Sequence, residues 1–195
     1  MDSVPIRQTQ TQTQVLVNSF VRSVYNWMAI GLALTGFVAY TVANSQTMLN
    51  IIFGNPIVFW GLIIGELVMV FTLSARVNKM QASTATALFV LYAALNGATL
   101  SAVFLAYTKS SIASTFFVCA GTFVAASIYG WTTKKDLTSF GSFLFMGLIG
   151  IIIASVVNLF LKSSGMTMII SYIGVLLFTG LTVYDTQRLK NMALT

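Results

Sequence analysis

"FGSFLFMGLIGIIIASVVNLFL", residues 140–161, holds no charged residue in 22 positions. A helix rises about 1.5 Å per residue, so a run of this length crosses a hydrocarbon core of about 30 Å. A membrane-crossing strand needs only about 10 residues and alternates polar with apolar. This run does neither, so it reads as a transmembrane helix. Five more runs have the same character: Tyr25–Ala43, Pro56–Ser74, Ser83–Tyr107, Ile112–Trp131 and Met166–Thr186. The expected fold class is therefore all-α, a polytopic transmembrane helix bundle with six spans. The run at Tyr25–Ala43 is too long for the apolar part of a signal peptide, and five spans follow it, so it is a retained helix.

Composition agrees. The 195 residues are 57% hydrophobic and 7% charged, against about 25% charged in a soluble domain. Residues 22–195 form one membrane domain. Residues 1–21 are polar, include the low-complexity "QTQTQTQ" at 8–14, and read as a disordered cytoplasmic arm. The net charge is +6, but the basic residues sit in short loops between apolar runs. That is a membrane-orientation pattern and not a surface for nucleic acid. Arg7, Arg22, Arg76, Lys79, Lys134, Lys135, Arg188 and Lys190 fall on one side, and Lys109 and Lys162 on the other. This split puts the amino terminus in the cytoplasm. Trp60 and Trp131 fall near run ends, where an aromatic belt meets the interface.

Absences narrow the chemistry. With no histidine, neither a Ser-His-Asp set nor a histidine zinc site can form within the chain. Cys119 is the single cysteine and reads as a small apolar filler. Gly147, Gly150, Ala154 and Asn158 recur at helical intervals in the fifth span, a stripe suited to close packing with Asn158 bonding across it. No inverted repeat marks a transporter.

Four acids remain. Asp2 lies in the arm, and Asp136 beside Lys134 and Lys135 in a loop; both read as solvated. Glu66 lies mid-way along the second span, where an ionised acid costs about 2.5–3.5 kcal/mol on insertion scales. It must be protonated, paired or facing water. Asn96, at similar depth in the third span, is its nearest polar candidate. Asp185 lies near the end of the sixth span, at a helix C-terminus whose dipole disfavours an anion. Thr179, Thr182 and Asp185 share a face that should look into the bundle. Arg188, three residues on, is the local charge partner. Arg76 ends the second span at the level of Asp185 and would bridge it if those helices are neighbours. Glu66 then lies about 15 Å deeper on the same helix, giving one deep acid and one shallow base along a conduction path.

At "GLTVYDTQRLK", residues 180–190, the chain resembles the sixth-helix signature of the Bax inhibitor-1 (transmembrane Bax inhibitor motif) family. The likeness extends through "ASTFFVCAGTFVAASIYGWTTKKDLTSFGSFLFMGLIGIIIASVVNLFLKS" at 113–163 and "VYNWMAIGLALTGFVAY" at 24–40. It is closest to the bacterial inner-membrane branch. The resemblance implies a seven-helix fold around a central helix and a pH-sensitive calcium leak channel. Its switch would be two aspartates sharing a proton, since two carboxyls in contact cannot both ionise cheaply. Asp185 matches the first. The second belongs to a seventh helix that the chain, ending at Thr195, does not supply. Arg76 matches the position of the arginine that latches the closed state. Glu66 and Asp185 are the candidate calcium ligands, calcium being the transported ion and no cofactor being expected.

A second reading follows from the same branch: regulation of, or binding to, the FtsH membrane protease without transport. An enzyme is not expected. The Tyr-Asp pair superficially resembles presenilin-like aspartyl proteases, but those also need a GxGD motif, and none occurs in the chain.

Overall fold

The structure, a computed structural model, describes the backbone of residues 4–193 and the side chains of residues 15–193. Asp2 and the side chains of the 8–14 repeat lie outside the described residues. Every regular element among the described residues is helical: α1 (Val4–Ala43), α2 (Gln46–Phe53), α3 (Pro56–Arg76), one 3-10 turn (Val77–Lys79), α4 (Ala82–Ala106), α5 (Lys109–Thr132), α6 (Thr138–Leu161) and α7 (Ser164–Met192). Six of them, all but α2 and the 3-10 turn, are long and apolar enough to cross a membrane, matching the six expected spans. Their surfaces suit lipid. Phe160 is 84% exposed, Ile57 82% and Leu176 75%, whereas the buried side chains are few and mostly small. Such exposure is unfavourable in water at about 25 cal/mol per Å² and carries no such penalty in hydrocarbon.

Two features depart from the sequence reading. The arm expected as disordered at residues 1–21 is helical from Val4 and runs into the first span without a break. Pro5 sits in the first turn, where its missing N–H removes no helical bond. No further proline and no glycine occur before Gly31. Extending an existing helix needs no new nucleus. Val17 and Val21, one turn apart, are buried, so this segment does carry a packed apolar edge. The second departure is α2, which falls in what reads as a connection. Ser45 caps it, its Oγ accepting from the Met48 N–H at 3.4 Å, and Ile52 anchors it. Asn55 then caps α3, accepting from the Ile57 N–H at 3.0 Å, with Pro56 at the first helical position.

The chain divides into two compact units, one of Arg22–Ser114 and the other of the residues up to Val21 with those from Thr115 onward. In the first, α1 and α4 meet along a seam of small residues. Gly31 faces the Phe89 ring, the Thr35 hydroxyl donates to the Ala93 carbonyl at 2.8 Å, and Gly97 lies against Thr35 and Val38. Residue numbers rise together on both helices, so they run parallel. Ala93, Gly97 and Ser101, each one turn apart, are the buried positions of α4.

In the second unit, α6 and α7 form an antiparallel hairpin. Gly141 lies under the Tyr184 ring, Gly180 against Leu144 and Gly147 against Leu177; numbers rise on one helix as they fall on the other. The small-residue stripe of α6 is therefore only partly used. Gly147 is in the seam, while Gly150 has no neighbour within 4 Å of where a Cβ would stand. Asn158 does bond across the contact between α6 and α7. It lies at the α6–α7 turn, donating to Thr167 Oγ1 at 2.8 Å and accepting from the Ser163 N–H at 3.1 Å.

A Cβ at Gly97 would stand 2.5 Å from the Thr35 carbonyl oxygen and 2.8 Å from Val38 Cβ. Gly97→Leu should therefore destabilise the chain by about 1–3 kcal/mol, read as a lowered melting temperature in detergent. Gly36→Ala, with nothing within 4 Å, should leave the melting temperature unchanged or higher.

Candidate functional site

Each unit carries one acid inside a span. In the first, Glu66 projects from α3 toward α4. Its Oε1 accepts from the Thr99 hydroxyl at 3.0 Å and its Oε2 from the Asn96 amide at 3.5 Å. The structure thus brings together Glu66 and Asn96, two of the sequence candidates. Thr99 was not among them. Its signal is the three-residue step from Asn96, which puts both side chains on one face of α4. Thr99 Oγ1 also stands 3.0 Å from the Asn96 carbonyl. Its single proton can go to either acceptor, so the hydroxyl suits Glu66 whether that acid donates or accepts. Arg76 is exposed at the end of α3. It belongs to the first unit and Asp185 to the second, and within its own unit Arg76 pairs with no acid.

In the second unit, the carboxyl-terminal turns of α7 are tied to α5 and to the α5–α6 loop. Gln187 closes that loop with both ends of its amide: Nε2 donates to the Lys135 carbonyl at 2.7 Å, and Oε1 accepts from the Leu137 N–H at 3.0 Å. Lys190 Nζ donates to the Trp131 carbonyl at 2.9 Å and stands 5.6 Å from the centre of the Trp131 ring. A cation at the α5 C-terminus also suits the helix dipole. Gly130 of α5 admits Val183 and Thr186 of α7 at backbone distance. Sequence reading missed Gln187 and Lys190 as clamps, because their partners are backbone carbonyls and an amide, which any residue supplies.

These contacts fix which face of α7 is covered. Leu177 and Thr186 are buried, and Asp185 is exposed. The stripe expected to look inward does not do so as a unit. The Thr179 and Thr182 hydroxyls bond to their own helix, at the carbonyls of Val175 and Phe178, 2.7 and 2.9 Å away. Asp185 points away from the α5 and α6 contacts, with Arg188 as its Coulombic neighbour.

In the loop, the Thr138 hydroxyl and N–H both donate to Asp136 Oδ1, at 2.6 and 2.9 Å. These bonds hold the Asp136 carboxyl below the ordinary aspartate range. Its contribution to stability is therefore present above that range and is lost as pH falls through the depressed value. Among the described residues, no group of three or more histidine, cysteine or acidic side chains comes together.

The profile of the family described as "Inhibitor of apoptosis-promoting Bax1" matches residues 17–195. The Escherichia coli K12 inner membrane protein YbhL is 50% identical over 98% of this chain and 82% of its own length. Uncharacterised proteins of Borreliella burgdorferi and Deinococcus radiodurans are 48% and 43% identical, over 94% and 97% of this chain and 80% of each relative. No solved structure shows significant similarity to the chain.

Gln187→Ala removes two loop bonds, each worth about 0.5–1.5 kcal/mol net. Cleavage by trypsin after Lys134 or Lys135 should speed up about tenfold; an unchanged rate would show that Gln187 does not hold the loop. In an NMR titration, Thr138→Ala should move the Asp136 midpoint up toward the ordinary aspartate range.

Proposed function

The chain belongs to the Bax inhibitor-1 family, and on that premise we propose that it is a cation leak pathway of the bacterial inner membrane, passing calcium under proton control. The observation that carries this reading is the Glu66 cluster. Glu66 lies within the span Pro56–Lys79, and Asn96 and Thr99 of the neighbouring span turn polar atoms toward it. An acid kept at such depth marks an ion or proton path more often than a structural contact. Calcium is a hard cation that takes six to eight oxygen ligands at a resident site. Glu66, Asn96 and Thr99 offer fewer side-chain oxygens than that, which favours passage over storage, because conduction needs binding weak enough to release.

Asp185 acts as the pH gate in this reading. It is an exposed acid at the lysine- and arginine-rich end of the second unit, so its charge answers to the pH of that side. Arg188 tempers that charge, and Arg76, exposed and unpaired within its unit, is the latch. The lysine and arginine distribution supports a cytoplasmic position for that end and for the amino terminus.

Calcium entry into proteoliposomes, followed against pH, tests the proposal. The wild-type leak should vary with pH. Asp185→Asn should flatten that variation, and Glu66→Gln should lower the flux about tenfold, the equivalent of about 1.4 kcal/mol of ion stabilisation. No flux at any pH from folded protein would overturn the channel reading and leave regulation of the FtsH protease as the alternative.

A further inference from the structure

The lysine- and arginine-rich end of the second unit carries a cleft of about 210 Å³, lined by Thr138, Tyr184, Gln187, Arg188, Asn191 and Met192. Its polar groups divide into two sets. Gln187 is spent on the loop, and the Thr138 hydroxyl is spent on Asp136. The Arg188 guanidinium, the Asn191 amide and the Tyr184 hydroxyl make no hydrogen bond or ion pair among the described residues, apart from the Coulombic attraction of Arg188 to Asp185. Positions 184, 188 and 191 follow one face of α7 at steps of four and three. Three donors thus converge on one opening, and the only fixed charge among them is positive.

Arginine presents a planar fork of N–H donors that fits phosphate oxygens in pairs. Lys134 and Lys135 in the adjoining loop are exposed and add to the positive field. Of the nearby acids, Asp136 is already committed to Thr138, and Asp185 is the one charge that competes for Arg188. The cleft opens at the end of helices whose flanks are apolar and exposed: Phe143 is 67% exposed and Phe178 56%. A headgroup seated there leaves its acyl chains alongside those flanks. We propose that this cleft binds the phosphate of an anionic phospholipid headgroup, with Arg188 as the principal contact and Asn191 and Tyr184 as further donors. Basic pockets at the ends of membrane helices take such headgroups elsewhere. The inference does not depend on ion conduction, since it is read from binding alone.

Native mass spectrometry of the delipidated chain in detergent tests it, with phosphatidylglycerol and phosphatidylcholine added in parallel. The expected result is retention of phosphatidylglycerol over phosphatidylcholine. Arg188→Gln should cut that preference at least fivefold, while Lys162→Gln, at the far end of the same hairpin, should leave it intact. Arg188→Lys, which keeps the charge and loses the fork, should fall between, and it serves as the test if Arg188→Gln does not fold. Equal retention of the two lipids, or a preference unchanged in Arg188→Gln, would overturn the proposal. Added inorganic phosphate distinguishes the source. If it leaves phosphatidylglycerol bound, the lipid assignment stands; if it displaces the lipid at matched concentration, the lipid assignment fails in favour of a free phosphate site.

Discussion

A backbone N–H or C=O left without a partner in hydrocarbon costs several kcal/mol, and no water is there to take its place. Everything in this chain follows from that constraint. Six segments cross as helices because a helix pairs its backbone within itself. Their hydroxyl side chains do the same: Thr122, Ser155, Ser171, Thr179 and Thr182 all bond to carbonyls one turn back. With the backbone and these hydroxyls satisfied locally, association between helices rests mainly on close packing, joined by a few bonds between helices such as those of Thr35 and Thr99. It is concentrated where small residues permit it, at Gly31 and Gly97 on one seam and at Gly141, Gly147 and Gly180 on another.

The same constraint makes the exceptions informative. Among the described residues, Glu66 is the one acid held within a span by groups from another helix. Asp185, by contrast, lies at a helix end with only an arginine of its own helix beside it. One is positioned by hydrogen bonds and the other is left accessible. The clamp of Gln187 and Lys190 gives the Asp185 segment a fixed base, since it ties the last turns of α7 to the loop and to the end of α5.

Much of the fold was legible in the sequence because the membrane imposes a length and a polarity that any run of about 20 residues either meets or fails. The pairing of Glu66 with Asn96 could be anticipated from depth alone. What escaped depends on information that periodicity does not hold. The start of α1 looked disordered because its composition is polar, yet helix extension follows continuity of the chain. Within its unit, Asp185 lies off the face of α7 covered by Gly130, Gly141 and Leu144, residues of other helices that the periodicity of α7 does not encode. Gln187 and Lys190 bond to main-chain groups, which leave no trace in side-chain patterns.

The turn between α6 and α7 has a consequence for biogenesis. Lys162 takes a left-handed conformation, φ 49°, which costs a residue with a Cβ about 1–2 kcal/mol. Asn158 offsets this by bonding to both the Ser163 backbone and the Thr167 side chain. A turn closed in this way, followed by a seam in strict antiparallel register, gives α6 and α7 the means to enter the bilayer as a single preformed pair. Asn158, Ser163 and Thr167 would then enter with their hydrogen bonds already made, so the polar groups of this turn need never lie unpaired in hydrocarbon.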